Sequence, residues 1–225
     1  MRDRSGSSSR FSRLPLTNIS LKDFLRTRRS IRRFKPDPVP DSVIREILNT
    51  ATFAPSAHNR QPWRFVVLTD PSVKSNFADA MAADFQHDLE ADNLPTEVID
   101  KRLHRSRERI NGAPVVILLC LEMIEMDTYP DARRQNAEYT IATQSVANAG
   151  MQLLLAAHAE GLGGVWVCSP VFAQETVQTA LNIPSTWEPQ AMFLLGYPAE
   201  MPEVRERKPL DEISIFFSTS MTKAN

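Results

Sequence analysis

Arg28-Arg29-Ser30-Ile31-Arg32-Arg33-Phe34 places four arginines within six residues, with one serine among them. Fork-shaped guanidiniums and a hydroxyl can converge on a single phosphate, through charge-assisted bonds roughly twice as strong as neutral ones. The same residues would also suit a solvated basic turn or a nucleic-acid patch. The whole chain argues for the first use. Its 225 residues carry a net charge of only −1, so there is no global attraction to nucleic acid or an anionic membrane, and a local basic cluster suits a small anionic ligand.

Upstream, Leu21, Phe24 and Leu25 recur at helical spacing, predicting a short helix over 21–28. Downstream, Pro36, Pro38 and Pro40 hold an extended connection, and Asp41 is a good N-cap for a helix with Val43, Ile44, Ile47, Leu48 and Ala51 on one stripe. That helix should end near Pro55. Pro55-Ser56-Ala57-His58-Asn59-Arg60-Gln61-Pro62-Trp63 then reads as a polar loop. Ser56 and Asn59 could bond a ligand there or simply close their own turn, and the residues alone favour the turn.

Arg64 to Thr69 reads as a buried strand. Residues 71–111 read as two polar helices broken at Asn93-Leu94-Pro95, an arm or lid between strands. Val115 to Leu121 is nearly all aliphatic, as expected of a central strand covered on both faces. The longest helix should span 131–160. Its second half is apolar almost all round, which demands a core or an interface, here a domain core or a copy of the same helix. Gly161-Leu162-Gly163-Gly164 ends it and leads into Val165-Trp166-Val167-Cys168-Ser169-Pro170, a strand and turn. A helix over 172–181 and an apolar strand over 190–196 follow. Arg205 and Arg207 lie in a second basic cluster, and Ile213, Ile215, Phe216 and Phe217 make an apolar end that wants a partner to cover it.

Apolar residues form 42% of the chain and charged residues 24%, an ordinary balance for a soluble globular protein. Two cysteines, Cys120 and Cys168, exclude a disulfide scaffold and a four-cysteine zinc site and fit a reducing cytoplasm. No metal site is expected. No apolar run approaches the ~18 residues needed to cross a bilayer, so no membrane association is expected. The Ser- and Arg-rich residues 1–18 lack an apolar h-region. They share some composition with organelle transit peptides, but Asp3 and their shortness favour a disordered tail, ahead of a single domain over 19–225.

Taken in order and at these separations, Arg28–Phe34, Pro55–Trp63, Gly161-Leu162-Gly163 and the late Arg205 and Arg207 resemble the nitroreductase family of FMN-dependent oxidoreductases, over about residues 20–217. Within it, Ala113-Pro114-Val115-Val116, Gly161 to Val167 and Leu181-Asn182-Ile183-Pro184 with Trp187-Glu188-Pro189 look most like the flavin domain attached to the glutamyl ligase of deazaflavin-coenzyme biosynthesis. The likeness extends to the flavin part only. It implies an α+β fold: a mostly antiparallel central sheet flanked by helices, in a strand-exchanged homodimer. It also implies FMN as cofactor and NADH or NADPH as co-substrate, in a ping-pong cycle with a small-molecule acceptor of nitro, quinone or enone type.

Carried over by position, the resemblance assigns Arg28, Arg29 and Ser30 to the FMN phosphate, with Arg205 and Arg207 closing that site from the C-terminal side. Arg32 would lie beside the pyrimidine edge of the flavin. Pro55, Ser56, Ala57 and Asn59 would come from the second subunit. Trp166, Val167, Cys168 and Ser169 would lie along one flavin face. Many relatives carry a carboxylate where Cys168 falls. An arm residue such as Arg105 is expected to add a polar contact. Because the cofactor supplies the difficult chemistry, no side chain is named as catalytic, and His58 and His104 read as surface or loop histidines. A reductase of a deazaflavin-coenzyme precursor and a flavin-binding protein without turnover remain the alternatives.

Overall fold

The computed structural model describes residues 20–217. The expected tail at 1–18 lies outside the described residues. Four antiparallel strands form one sheet in the order β1-β2-β4-β3. They are β1 (Trp63–Leu68), β2 (Val115–Leu121), β3 (Gly163–Val167) and β4 (Glu188–Gly196). The aliphatic run of β2 has a plain cause. Val115, Ile117, Leu119 and Leu121 enter one apolar cluster with α2 (Asp41–Ala51) and α5 (Ala132–Ala159). Val116, Leu118 and Cys120 enter another with Phe77 and Met81 of α3 (Pro71–Ala91), Ile110 of α4 (Thr96–Asn111) and Val177 of α6 (Gln174–Leu181). Such a run reports two covered faces, whichever way the neighbouring strands point. Between β2 and β4 the register slips at Leu119/Cys120, where Cys120 faces Pro189, a residue with no N–H to give the ladder.

The break at Asn93-Leu94-Pro95 separates α3 from α4 as expected. The inner half of this pair belongs to the sheet's core, while Leu89, Ile99 and Leu103 make a small cluster of their own at its outer end. Arg107 bonds Asp79 across the pair at 2.7 Å. Buried Lys74 fastens α3 to the start of β2 by donating to the carbonyls of Ala113 (2.6 Å) and Pro114 (3.3 Å).

Differences from the expected elements are small and local. Pro40, extended, occupies the N-cap position of α2, which puts Asp41 in the first turn, where its charge still favours the helix N-terminus. The short α1 (Leu21–Thr27) buries no residue, and its apolar Leu21 and Leu25 are 64% and 49% exposed. A four-residue helix α7 (Leu210–Ile213) interrupts the C-terminal segment, which is exposed from Met201 to Phe217 except at Ser214.

The arginine stretch forms a fifth element along the sheet edge. Ile31 donates its N–H to the Gly164 carbonyl at 3.0 Å, and Ser30 makes a parallel bridge to Gly164. Farther on, Lys35 donates to Tyr197 (2.8 Å) and Ala199 to Arg33 (3.1 Å). Buried Ile31 is what Gly163 accommodates. A Cβ at 163 would stand 2.7 Å from both Cβ and Cγ1 of Ile31, closer than such atoms approach. Gly163→Ala should therefore lift the arginine stretch off β3 at an overpacking cost of about 1–3 kcal/mol. Calorimetry should show the midpoint lowered by roughly 2–12 °C, whereas an unchanged midpoint would mean that Ile31 gives way freely.

Candidate functional site

The C-terminal end of α5 organises the site. Gly161, at φ 76°, lets Leu162 N–H bond the Ala157 carbonyl (2.9 Å) and its own N–H bond the His158 carbonyl (3.1 Å). This paired closure of a helix end needs a left-handed residue, and glycine adopts that conformation without a Cβ clash. It places the His158 ring against α1, immediately upstream of the arginine stretch. The ring stacks on Phe24 with centroids 4.9 Å apart, and Thr27 Oγ1 lies 3.1 Å from Nε2. Arg28, Arg29, His158 and the Gly161–Gly164 turn line a cavity of about 160 Å³.

The charges gathered there have one sign. Arg28 is half-buried, and its proton affinity is lowered first by burial, then by the neighbouring positive charges of Arg207 and Arg29. Residues 28 and 207, from opposite ends of the chain, therefore share one electrostatic environment. Among the described residues, none of Arg28, Arg29 and Arg207 has an acidic partner within 4.0 Å. Arg29 donates instead to the carbonyls of Arg26 (2.6 Å) and Arg28 (3.0 Å), and Arg207 to those of Arg205 (3.0 Å) and Glu206 (3.2 Å). Three uncompensated cations beside a hydroxyl residue suit a dianion such as a phosphate monoester.

The same field acts on His158, whose pKa is lowered by burial first and by Arg28 and Arg29 next. Just below the ordinary histidine value of about 6.5, the unfolded chain then binds more protons than the folded one. Stability must fall as pH drops through that window. His158→Gln should flatten this part of the curve of thermal midpoint against pH for the ligand-free protein. Identical slopes just below about pH 6.5 in the two proteins would contradict it.

The loop of Pro55, Ser56, Ala57 and Asn59 lies elsewhere. Ser56 closes its own turn, its Oγ accepting from Gln61 N–H at 3.1 Å. Ala57 N–H donates to Ser145 Oγ (3.1 Å), and Asn148 Nδ2 donates to the Pro55 carbonyl (3.2 Å). His58, Asn59 and Gln61 all have positive φ, a concentration of left-handed backbone unusual outside glycine. Measured along α5 to His158 from the two residues that hold the loop, Ser145 and Asn148, this loop and the arginine cluster are about 15–20 Å apart at 1.5 Å per residue. Within one chain they cannot both touch one phosphate.

Trp166 and Val167 end β3, half-buried, with Trp166 packed edge-on against Phe193 at 4.9 Å. Ser169 is half-buried. Cys168 is exposed, and its carbonyl accepts from Val171 N–H in a 3-10 turn. Arg32 faces a different cavity, shared with Arg105 and Arg109 of α4. Among the described residues no cluster of His, Cys, Asp or Glu could hold a metal ion, and no helix is long and apolar enough to cross a membrane.

Comparison with known proteins decides the family. The model of the nitroreductase family matches residues 25–197. The chain belongs to the nitroreductase family. YfhC of Bacillus subtilis (strain 168), which carries the name of an NAD(P)H nitroreductase, is 30% identical over 190 residues, 84% of this chain and 90% of its own. The 5,6-dimethylbenzimidazole synthase of Rhodospirillum rubrum is 31% identical over 212 residues, 88% of this chain and 90% of that protein. A Desulfovibrio desulfuricans protein crystallised in complex with FMN is 28% identical. It superposes with a TM-score of 0.66, over 87% of this chain and 95% of that one.

This nitroreductase-family match starts before Arg28 and stops at Tyr197, so Arg205 and Arg207 lie beyond it. Of the two, Arg207 is close enough to lower the proton affinity of Arg28. Two residues at these cavities escape a reading of the sequence: His158, which reads as one more position of an apolar helix, and Arg109, one of several arginines on a polar one. The only advance sign of His158 was its place three residues before a glycine turn.

Proposed function

We propose that this protein is an FMN-dependent oxidoreductase. It takes electrons from NADH or NADPH and passes them to a small oxidised acceptor of nitro, quinone or enone type, in a ping-pong cycle, as a cytoplasmic homodimer. The observation that carries this reading is the gathering of Arg28, Arg29 and Arg207, with no acid among the described residues to neutralise them, in a nitroreductase-family chain. Arg28, Arg29, Ser30 and Arg207 would hold the FMN phosphate, with Arg205 beside them. Arg32 would sit by the pyrimidine edge, where a cation stabilises negative charge on the reduced ring. Trp166, Val167, Cys168 and Ser169 would line one face. Bound FMN would supply the hydride chemistry at N5.

The separation of the Pro55–Asn59 loop from the arginine cluster supports a site completed by a second subunit. So does the stripe of Gln144, Ala147, Asn148 and Met151, which leaves one side of α5 exposed. The test is anaerobic stopped-flow mixing of the yellow protein with NADH and with NADPH. Loss of flavin absorbance with at least one donor, and its return on adding a nitroarene or quinone, is the expected result. A bound flavin that both donors leave oxidised would rule out the enzyme.

A further inference from the structure

The second basic cavity calls for a ligand of its own. It has a volume of about 620 Å³ and lies between the Arg32–Phe34 segment and the C-terminal half of α4. Four arginines line it (32, 33, 105 and 109) against two acids, Glu108 and Glu200. Arg33 is paired with Glu200 at 3.5 Å, and Glu108 lies 3.3 Å from His104. Among the described residues, Arg32, Arg105 and Arg109 have no acid within 4.0 Å. Their mutual repulsion is felt at Arg109, whose proton affinity is lowered by burial first and then by Arg105 and Arg32. The Arg28/Arg29 cavity is lined by different arginines, and buried Ile31 stands in the chain between the two sets. FMN has one phosphate, already assigned to the first cavity, so the second is left for another anion.

We propose that the cavity of Arg32, Arg105 and Arg109 is an anion subsite for the second substrate, taking a phosphate or carboxylate carried by the electron donor or by the acceptor. This rests on the FMN reading above, which places Arg32 at the flavin's edge and so puts the subsite at the mouth of the reaction centre. Paired guanidiniums bind such groups bidentately, and the ligand's charge relieves the repulsion among them. Two sources carry this chemistry, the 2′-phosphate that distinguishes NADPH from NADH and an anionic group on the acceptor.

Two arms of one experiment separate them, run on the holoprotein and on its Arg105→Ala and Arg109→Ala variants. The donor arm measures the Kd of NADPH and of NADH from flavin bleaching. The acceptor arm measures kcat/KM for 4-nitrobenzoate and for neutral 4-nitrobenzyl alcohol. The anionic ligand should be preferred about tenfold or more in at least one arm, as expected for one charge-assisted bond. That preference should collapse toward unity in the variants, and the arm showing it names the source. Absence of preference in both arms, or a preference that survives both substitutions, overturns the subsite and leaves the FMN reading standing. A flavin that neither donor bleaches removes the enzyme reading and the subsite together.

Discussion

Arg28→Ala combined with Arg207→Ala should yield a folded, colourless protein. Each guanidinium lost from a bound phosphate costs on the order of 1.5–3 kcal/mol, with exposed Arg207 at the lower end and half-buried Arg28 at the upper. Together that is about 3–6 kcal/mol, or a fall in FMN affinity of about 10²- to 10⁴-fold. Misfolding would also remove the colour, but the charge pattern separates the two outcomes. Arg28 is repelled by Arg207 and Arg29, and neither substituted residue has an acidic partner among the described residues. The FMN-free variant should thus melt at the same temperature as the FMN-free parent or slightly above it. A double variant that purifies as yellow as the parent would show that these arginines do not hold the phosphate.

The triple substitution Ile215→Ser, Phe216→Ser and Phe217→Ser should break the homodimer we propose. These side chains are 81%, 59% and 96% exposed on the isolated chain, so polar replacements cost the protomer little. Covered by a partner, each would contribute about 1.5–3 kcal/mol, or roughly 4.5–9 kcal/mol per arm. Losing the smaller figure from one arm already raises the dissociation constant by about 10³-fold. Sedimentation velocity should find a folded monomer without flavin, because on the proposed reading the Pro55–Asn59 loop completes a partner's site. A yellow dimer would dismiss arm exchange as the source of the interface.

What could be read from the sequence was what depends on neighbours along the chain. Val115–Leu121 announced a strand covered on both faces, Asn93-Leu94-Pro95 a break between helices, and Gly161 a helix end, because each is a property of local pattern and backbone freedom. Aliphatic content alone could not fix strand direction or the order β1-β2-β4-β3, which depend on long connections. The arginine stretch stood out from its residue types as a candidate anion receptor, with a solvated basic turn as the alternative. Its support did not, since Ile31 needs the space left by Gly163 and the Thr27–His158 contact joins residues 131 positions apart. Arg109 was hidden for the same reason: only the folded α4 brings it beside Arg32. The N-cap of α2 fell one residue earlier than Asp41 because extended Pro40 already supplies the carbonyl that opens the helix, accepting from Ile44 at 3.1 Å.

The central claim is that the chain recognises the phosphate of the cofactor, through cations gathered from its two ends. Titration of the FMN-free protein with FMN and with riboflavin, which has the same ring system without the phosphate, tests it most directly. FMN should bind at least about 100-fold more tightly, the contribution of two charge-assisted bonds at the low end of their range. Equal affinities for the two flavins would contradict the account.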